Sequence, residues 1–143
     1  MATGKNFFME IVTPEGKVFS GDAEFAVVPA LEGEVGILPG HAALLSEINI
    51  GELRVTQTGS VSTFVVESGI VEIRDNRVSV AVESCQRQDL IDREAVLLMK
   101  ADAENRIKEN RDPGLVERAR NDLRLALLLE KVSAKKMSAN GNS

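Results

Sequence analysis

The chain reads as two unlike parts: an antiparallel β-sandwich or flattened barrel over residues 1–86, then an antiparallel two-helix hairpin over residues 87–143. Three observations carry this β + α assignment. Short runs rich in Val, Ile and Phe, punctuated by Gly, Asn, Asp or Pro, fill the stretch from Phe7 to about Glu83. From Gln88 onward these give way to long stretches of good helix formers. The tetrapeptide "RDPG" at 111–114 then divides the helical part in two.

The strands are predicted at "FFMEIVT" (7–13), "KVFS" (17–20), "EFAVVPA" (24–30), "ELRVTQ" (52–57), "VSTFVVES" (61–68), "GIVEIRD" (69–75) and "RVSVAVES" (77–84). In the last, Val78, Val80 and Val82 take one face and Ser79, Ala81 and Glu83 the other. Thr58-Gly59 and Asp75-Asn76 carry the chemistry of hairpin turns.

The first helix is predicted in "QDLIDREAVLLMKADAENRIKEN" (88–110), which holds neither Gly nor Pro. Asp89 or Asp92 suits its start, where the helix dipole favours negative charge. Ile91, Ala95, Val96, Leu98, Met99, Ala103 and Ile107 share one broad arc, interrupted by Asp102 and Arg106. The second helix is "LVERARNDLRLALLLEKVSAKK" (115–136). There Leu115, Val116, Ala119, Leu123, Ala126 and Leu127 form the stripe expected to meet the first helix. Arg120, Arg124 and Lys131 form a basic stripe beside it. Leu125, Leu128 and Leu129 lie outside both stripes; they either pack on the sandwich or meet a partner. The polar tail "SANGNS" (138–143) is expected to be disordered.

A chain of 143 residues can bury a core without disulfide staples. A net charge of −5 argues against a nucleic-acid binder, and five Phe with no Trp or Tyr make a base-stacking platform improbable. Cys85 is the single cysteine, so neither an internal disulfide nor a thiolate zinc site is expected, and a reducing compartment suits it. The N-terminal "MATGKNFFMEIVTPEGK" lacks the pattern of a secretory signal. "LALLL" at 125–129 is too short to span a bilayer, so direct membrane insertion is not expected.

Reactive groups are scarce. Proton transfer or nucleophilic attack needs convergent groups, and the chain offers one His, one Cys and no Tyr. No H-E-x-x-H, C-x-x-C, G-x-S-x-G or G-x-x-x-x-G-K-[ST] occurs. His41 with Glu34 or Glu47 falls short of the three or four ligands of a metal site, which leaves His41 as a turn residue or an interface contact. Glu32 reads as surface charge, and Cys85 as a small packing residue. No catalytic residue, cofactor or metal is expected.

The stretch "GEVGILPGHAALL" (33–45), preceded by "GKVFSG" and followed by "IGELRV", resembles the ε subunit of bacterial F-type ATP synthase. It is similar to the chloroplast ε subunit and, more distantly, to the mitochondrial δ subunit. The resemblance extends through "ESGIVEIRDNRVSVAVES" (67–84) to the terminal helical pair. It implies a sandwich of about ten strands and a non-catalytic place in the rotary stalk, peripheral to the cytoplasmic side of a bacterial inner membrane. The sandwich would bind the γ subunit and sit against the loops of the c-ring, coupling the two in ion-driven ATP synthesis. Glu34 is the position expected to face the c-ring, and His41 the position near γ. Gly36 and Gly40, with Gly33, would permit unusual backbone angles and close approach, and Pro39 would stiffen the turn.

The same resemblance implies that the helical hairpin restrains ATP hydrolysis by extending into the α and β subunits of the catalytic head. Arg120, Arg124, Leu128 and Lys131 would serve on the second helix, with Pro113-Gly114 as the joint. Some members of the family bind ATP through [IL]-D-x-x-R-A. Here "IDREAV" keeps Ile91 and Asp92 but places Ala95 at the arginine and Val96 at the alanine, and Asp102 stands where a further arginine is expected. Losing a charge-assisted bond to a phosphate costs on the order of 1.5–3 kcal/mol, so ATP binding is expected to be weak or absent. Two alternatives stay open: a stand-alone sandwich binding module with a helical interaction tail, and a small enzyme using Glu34 and His41.

Overall fold

A computed structural model describes the backbone of residues 5–141 and the side chains of residues 5–135. Ten strands come first: β1 (Phe7–Thr13), β2 (Gly16–Ala23), β3 (Phe25–Ala30), β4 (Gly33–Ile37), β5 (Leu44–Ile48), β6 (Gly51–Gln57), β7 (Ser60–Val66), β8 (Gly69–Arg74), β9 (Arg77–Val82) and β10 (Cys85–Arg87). A single 3-10 turn at Gln88–Leu90 leads to helices α1 (Arg93–Glu109) and α2 (Pro113–Gly141). The chain divides into two compact units, Met1–Arg87 and Gln88–Ser143.

The strands run in the order β10-β7-β6-β3-β5-β8-β9-β1-β2, with β4 paired to β3 off this path. All pairings are antiparallel except that of β1 with β9, which is parallel and brings the N-terminal strand beside the last long one. The far edge curls back: Glu24 N–H donates to the Thr56 carbonyl at 2.8 Å, and Gln57 Nε2 to the Asp22 carbonyl at 2.8 Å. The sheet is therefore a flattened barrel. Alternation sorts its side chains, with Val78, Val80 and Val82 buried and Ser79 and Ala81 exposed. Pro29 sits where β3 leaves β6 and meets β5, so its missing N–H interrupts neither ladder, and its carbonyl accepts from Asn49 N–H at 2.9 Å.

Three strands escape the sequence reading. β4 is diluted by two glycines and a glutamate, β5 by Ser46 and Glu47, and β10 has only three residues. Each is defined by its partner across the sheet rather than by its own period.

In the second unit Asp92 caps α1, its Oδ1 accepting from Ala95 N–H at 3.2 Å. The helices pair antiparallel: Lys100 meets Glu130 at 3.2 Å and Arg106 meets Asp122 at 2.8 Å, so positions run in opposite directions along the pair. The second helix begins earlier than predicted. Asp112 Oδ1 accepts from Gly114 N–H at 2.8 Å, and Pro113 takes the first helical position, where its absent N–H costs nothing. Pro113-Gly114 thus belongs to the first turn of α2, and the joint is Asn110 to Asp112.

The helix stripes also need correction. Leu125 and Leu129, placed outside the predicted stripe, are buried, while Leu115 and Leu127 within it are exposed. Buried Val96 and Ala103 lie seven residues apart, as do Ala119, Ala126 and Ser133, and Leu125 and Val132. Val96, Ala103, Ala119 and Ala126 lie within the predicted arcs, whereas the seven-residue spacing also draws in Leu125, Val132 and Ser133, which those arcs leave out. Finally, the helix α2 extends to Gly141 and so overlaps the polar stretch "SANGNS" at 138–141; residues 142 and 143 lie outside the described residues. Extending a formed helix adds a hydrogen bond for each residue fixed, so a polar tail can follow it.

Candidate functional site

Between β4 and β5 the chain reverses at Leu38–His41. Pro39 presets its own φ, Gly40 adopts φ +80°, and His41 N–H donates to the Leu38 carbonyl at 3.1 Å. These are the features of a type II turn, in which the third residue needs a positive φ. His41 is half-buried, and its Nδ1–H donates to the Ala42 carbonyl at 2.7 Å, leaving Nε2 as the other ring position. The turn is also held from outside: Asn76, in the β8–β9 connection, accepts from Gly40 N–H through Oδ1 at 2.8 Å.

On β4 the Glu34 carboxylate is exposed and lies 3.5 Å from Arg54 Nη2; Nη1 of the same guanidinium is 3.5 Å from Glu52. Gly36, expected to allow an unusual backbone angle or a close approach, keeps ordinary strand geometry and serves the close approach. The space of its missing side chain is taken instead by the Phe25 ring, whose Cε1 stands 3.4 Å from where a Cβ would be. None of these contacts joins Glu34 to His41, and no cluster of His, Cys, Asp and Glu able to hold a metal occurs among the described residues.

Beside β4 runs a groove of about 660 Å³, lined by the β3–β4 connection, β4, β5 and Ile70 of β8. Leu31, Leu45 and Ile70 project here at 53%, 70% and 51% exposure, with Val35 and Leu44 half-buried below. Glu32, Glu34 and Glu47 also line it. Leu38, in the turn itself, is 60% exposed. An apolar floor with acidic side chains is the chemistry of a protein contact, since exposed leucines gathered together gain by being covered. β4 and β5, which carry Val35, Leu44 and Leu45, are not among the predicted strands, so the sequence does not bring these residues beside Ile70.

On the helices, Arg120, Arg124 and Lys131 are exposed on α2 and Leu128 is half-buried. Arg124 Nη1 donates to Asn121 Oδ1 at 2.8 Å. Ile91 is half-buried before α1, Asp92 is spent on the cap, and Ala95 is exposed. Asp102 accepts from Arg106 Nε at 2.8 Å, and the same guanidinium reaches Asp122 on α2. The two carboxylates stabilise the charged guanidinium and hold its pKa above the usual value. This bridge between the helices is absent from the sequence reading, in which Asp102 and Arg106 interrupt an apolar arc and Asp102 replaces an arginine of the ATP-binding pattern.

A family model described as ATP synthase, Delta/Epsilon chain, beta-sandwich domain matches residues 6–88. The ATP synthase epsilon chains of Pelotomaculum thermopropionicum and Desulfitobacterium hafniense are 44% and 39% identical over 103 residues, 72% of this chain and 73% and 78% of theirs. That of Bacillus velezensis is 32% identical over 123 residues, 86% of this chain and 93% of its own. Among solved structures, a chain of the Euglena gracilis mitochondrial ATP synthase, in its OSCP/F1/c-ring assembly, superposes with TM-score 0.79 at 17% identity, covering 92% of this chain and 83% of that one. A chain of the central stalk and c-ring of the Tetrahymena thermophila mitochondrial enzyme gives TM-score 0.55 at 17% identity, covering 88% and 95%. The ten-stranded sandwich is thus the β-domain of a delta/epsilon-type rotary-synthase subunit. The chain belongs to the ATP synthase epsilon chain family.

Proposed function

We propose that the chain is a non-catalytic subunit of the central stalk of an F-type ATP synthase, joining γ to the c-ring and restraining ATP hydrolysis through its helices. The observation that carries this reading is the apolar groove lined by β4, β5 and Ile70. Its leucines remain largely exposed in the isolated chain, and an interface core would cover them. The Pro39-Gly40-His41 turn faces γ in this reading, and Glu34 on the adjoining strand faces the polar loops of the c-ring. No helix among the described residues is long and apolar enough to cross a membrane, so the chain would reach the membrane's cytoplasmic side through these partners.

The helices serve as the restraint. Extension exchanges the seam of Val96, Ala103, Ala119 and Ala126 for contacts along γ and with the α and β subunits of the head. Such a switch needs two packings of comparable free energy. Arg120, Arg124 and Lys131 already face solvent and are placed to meet acidic segments. ATP binding to the folded hairpin is weak or absent in this reading. Ala95 offers no charge, Asp92 is committed to the cap, and the Asp102 carboxylate repels phosphate.

Two measurements test the proposal. Purified chain should bind the γ subunit of the same synthase, and scrambling residues 34–39 should abolish that binding; unchanged binding rules out the docking surface. Truncation after Asn110 should leave assembly intact while raising ATP hydrolysis by the complex, and unchanged hydrolysis removes the restraining role. The groove equally suits a stand-alone module that takes an apolar peptide, which would bind its ligand while ignoring γ.

A further inference from the structure

Asn76 does more than a hairpin turn requires. Asp75 and Asn76 stand at φ 51° and 61°, the left-handed pair of a type I′ connection between β8 and β9. Glycine serves such a position without strain, and Asn tolerates it. What Asn adds is a carboxamide, and here both of its ends are used. Oδ1 accepts from Gly40 N–H at 2.8 Å, and Nδ2 donates to the Asn6 carbonyl at 2.9 Å. Its own carbonyl accepts from Phe8 N–H at 3.2 Å. One residue thus ties together the entry to β1, the β8–β9 turn and the turn between β4 and β5.

The bond to Gly40 is specific in its placement. A type II turn closes on the N–H of its fourth residue, here His41, and leaves the N–H of the third without an internal partner. Asn76 supplies that partner across 36 residues of sequence. An exposed turn with one internal hydrogen bond otherwise samples several orientations, and ordering it on contact costs affinity.

We propose that Asn76 is the positioning residue of the docking turn: by holding Gly40 N–H, it fixes the orientation in which Pro39 and His41 are presented to the stalk partner. The inference rests on the reading of that turn as facing γ. The side chain acts through the turn and need not touch the partner.

The test uses the full chain and the purified γ subunit of the same synthase. Asn76→Gly keeps the left-handed backbone and removes both side-chain bonds. Asn76→Asp keeps the acceptor for Gly40 and removes only the donor to Asn6. A Pro39→Ala, His41→Ala double variant disturbs the turn directly. Amide exchange at Gly40, read by NMR, reports the bond, and γ affinity reports its consequence. Asn76→Gly is expected to speed Gly40 exchange and weaken γ binding, each by about tenfold, with the sandwich amides unchanged. Asn76→Asp should remain within about twofold of the parent on both readouts, a rescue that generic destabilisation would not produce.

Parental γ affinity in Asn76→Gly, while the double variant binds weakly, overturns the inference and leaves the docking turn standing. Weak binding by Asn76→Asp with Gly40 still protected overturns it too, since the retained acceptor should suffice. Parental affinity in both Asn76→Gly and the double variant removes the docking reading itself, and the inference with it.

Discussion

The sandwich and the helical hairpin are held together by different means. In the sandwich, Phe7, Met9, Ile11, Leu53, Phe64 and Ile73 are almost wholly removed from water, and they come from strands far apart in the chain. In the helical unit the buried apolar residues are Val96, Ala103, Ala119 and Ala126, with Leu125, Leu129 and Val132 as the larger groups. Its cross-helix ties are ion pairs whose side chains are 27–47% exposed. Small residues bury little apolar area, and exposed ion pairs contribute little and weaken with salt. The sandwich is thus the more rigid unit and the hairpin the one that opens at lower cost, as the proposed restraint would require.

The strongest way to break this comparison is to strike both cores. Phe64 is fully buried and meets Phe19 edge-on at 6.0 Å between ring centroids. Phe64→Ala should cost the sandwich about 3–5 kcal/mol in chemical denaturation, and a loss near zero would contradict the packed interior. Leu129→Ala should cost about 2–3 kcal/mol but act locally. Amide exchange should quicken along α1 and α2 while the strands stay protected; equal quickening in both units would show that they do not open separately.

Two smaller effects sharpen it. Raising salt from about 0.05 to about 0.5 M shortens the screening length severalfold, so hairpin amides should exchange faster and strand amides should not. Arg106→Gln should remove much of that salt response, because Arg106 links Asp102 to Asp122; a response of undiminished size excludes the bridge as its source.

The smallest effect concerns Cys85, half-buried against the sandwich core. Burial raises its pKa from 9.0 to about 11, partly opposed by Arg87. The unfolded thiol ionises first, so stability from this group is complete below about pH 9 and declines as pH rises through about 11. Near pH 8 the thiolate is about a hundredfold scarcer than in the unfolded chain, and alkylation of the folded protein should slow accordingly. An alkylation rate equal to that of the denatured chain would place the thiol in water.

Much of this architecture was legible without coordinates. Val78, Val80 and Val82 alternate because a strand has period two, and the antiparallel hairpin follows from two helix-forming runs separated by the four residues "RDPG". Asp92 was one of two acidic residues suited to the helix start, and Pro39-Gly40 was legible as a turn. The strands β4, β5 and β10 were not legible, since each owes its extension to a neighbour across the sheet. The buried faces of the helices were legible in part: Val96, Ala103, Ala119 and Ala126 fall on the predicted arcs, while Leu125, Leu129 and Val132 do not, because their burial depends on what packs against them.

Local order determined what each segment would become: period sets a strand or a helix, and Gly40 permits the turn that Pro39 begins. Only the tertiary structure decided which distant groups share a place. It put Asn76 on Gly40, Ile70 beside Leu45, and Arg106 between Asp102 and Asp122. Hydrogen bonds and ion pairs act over a few ångströms of space, and separation along the chain carries no trace of that distance until the backbone has folded.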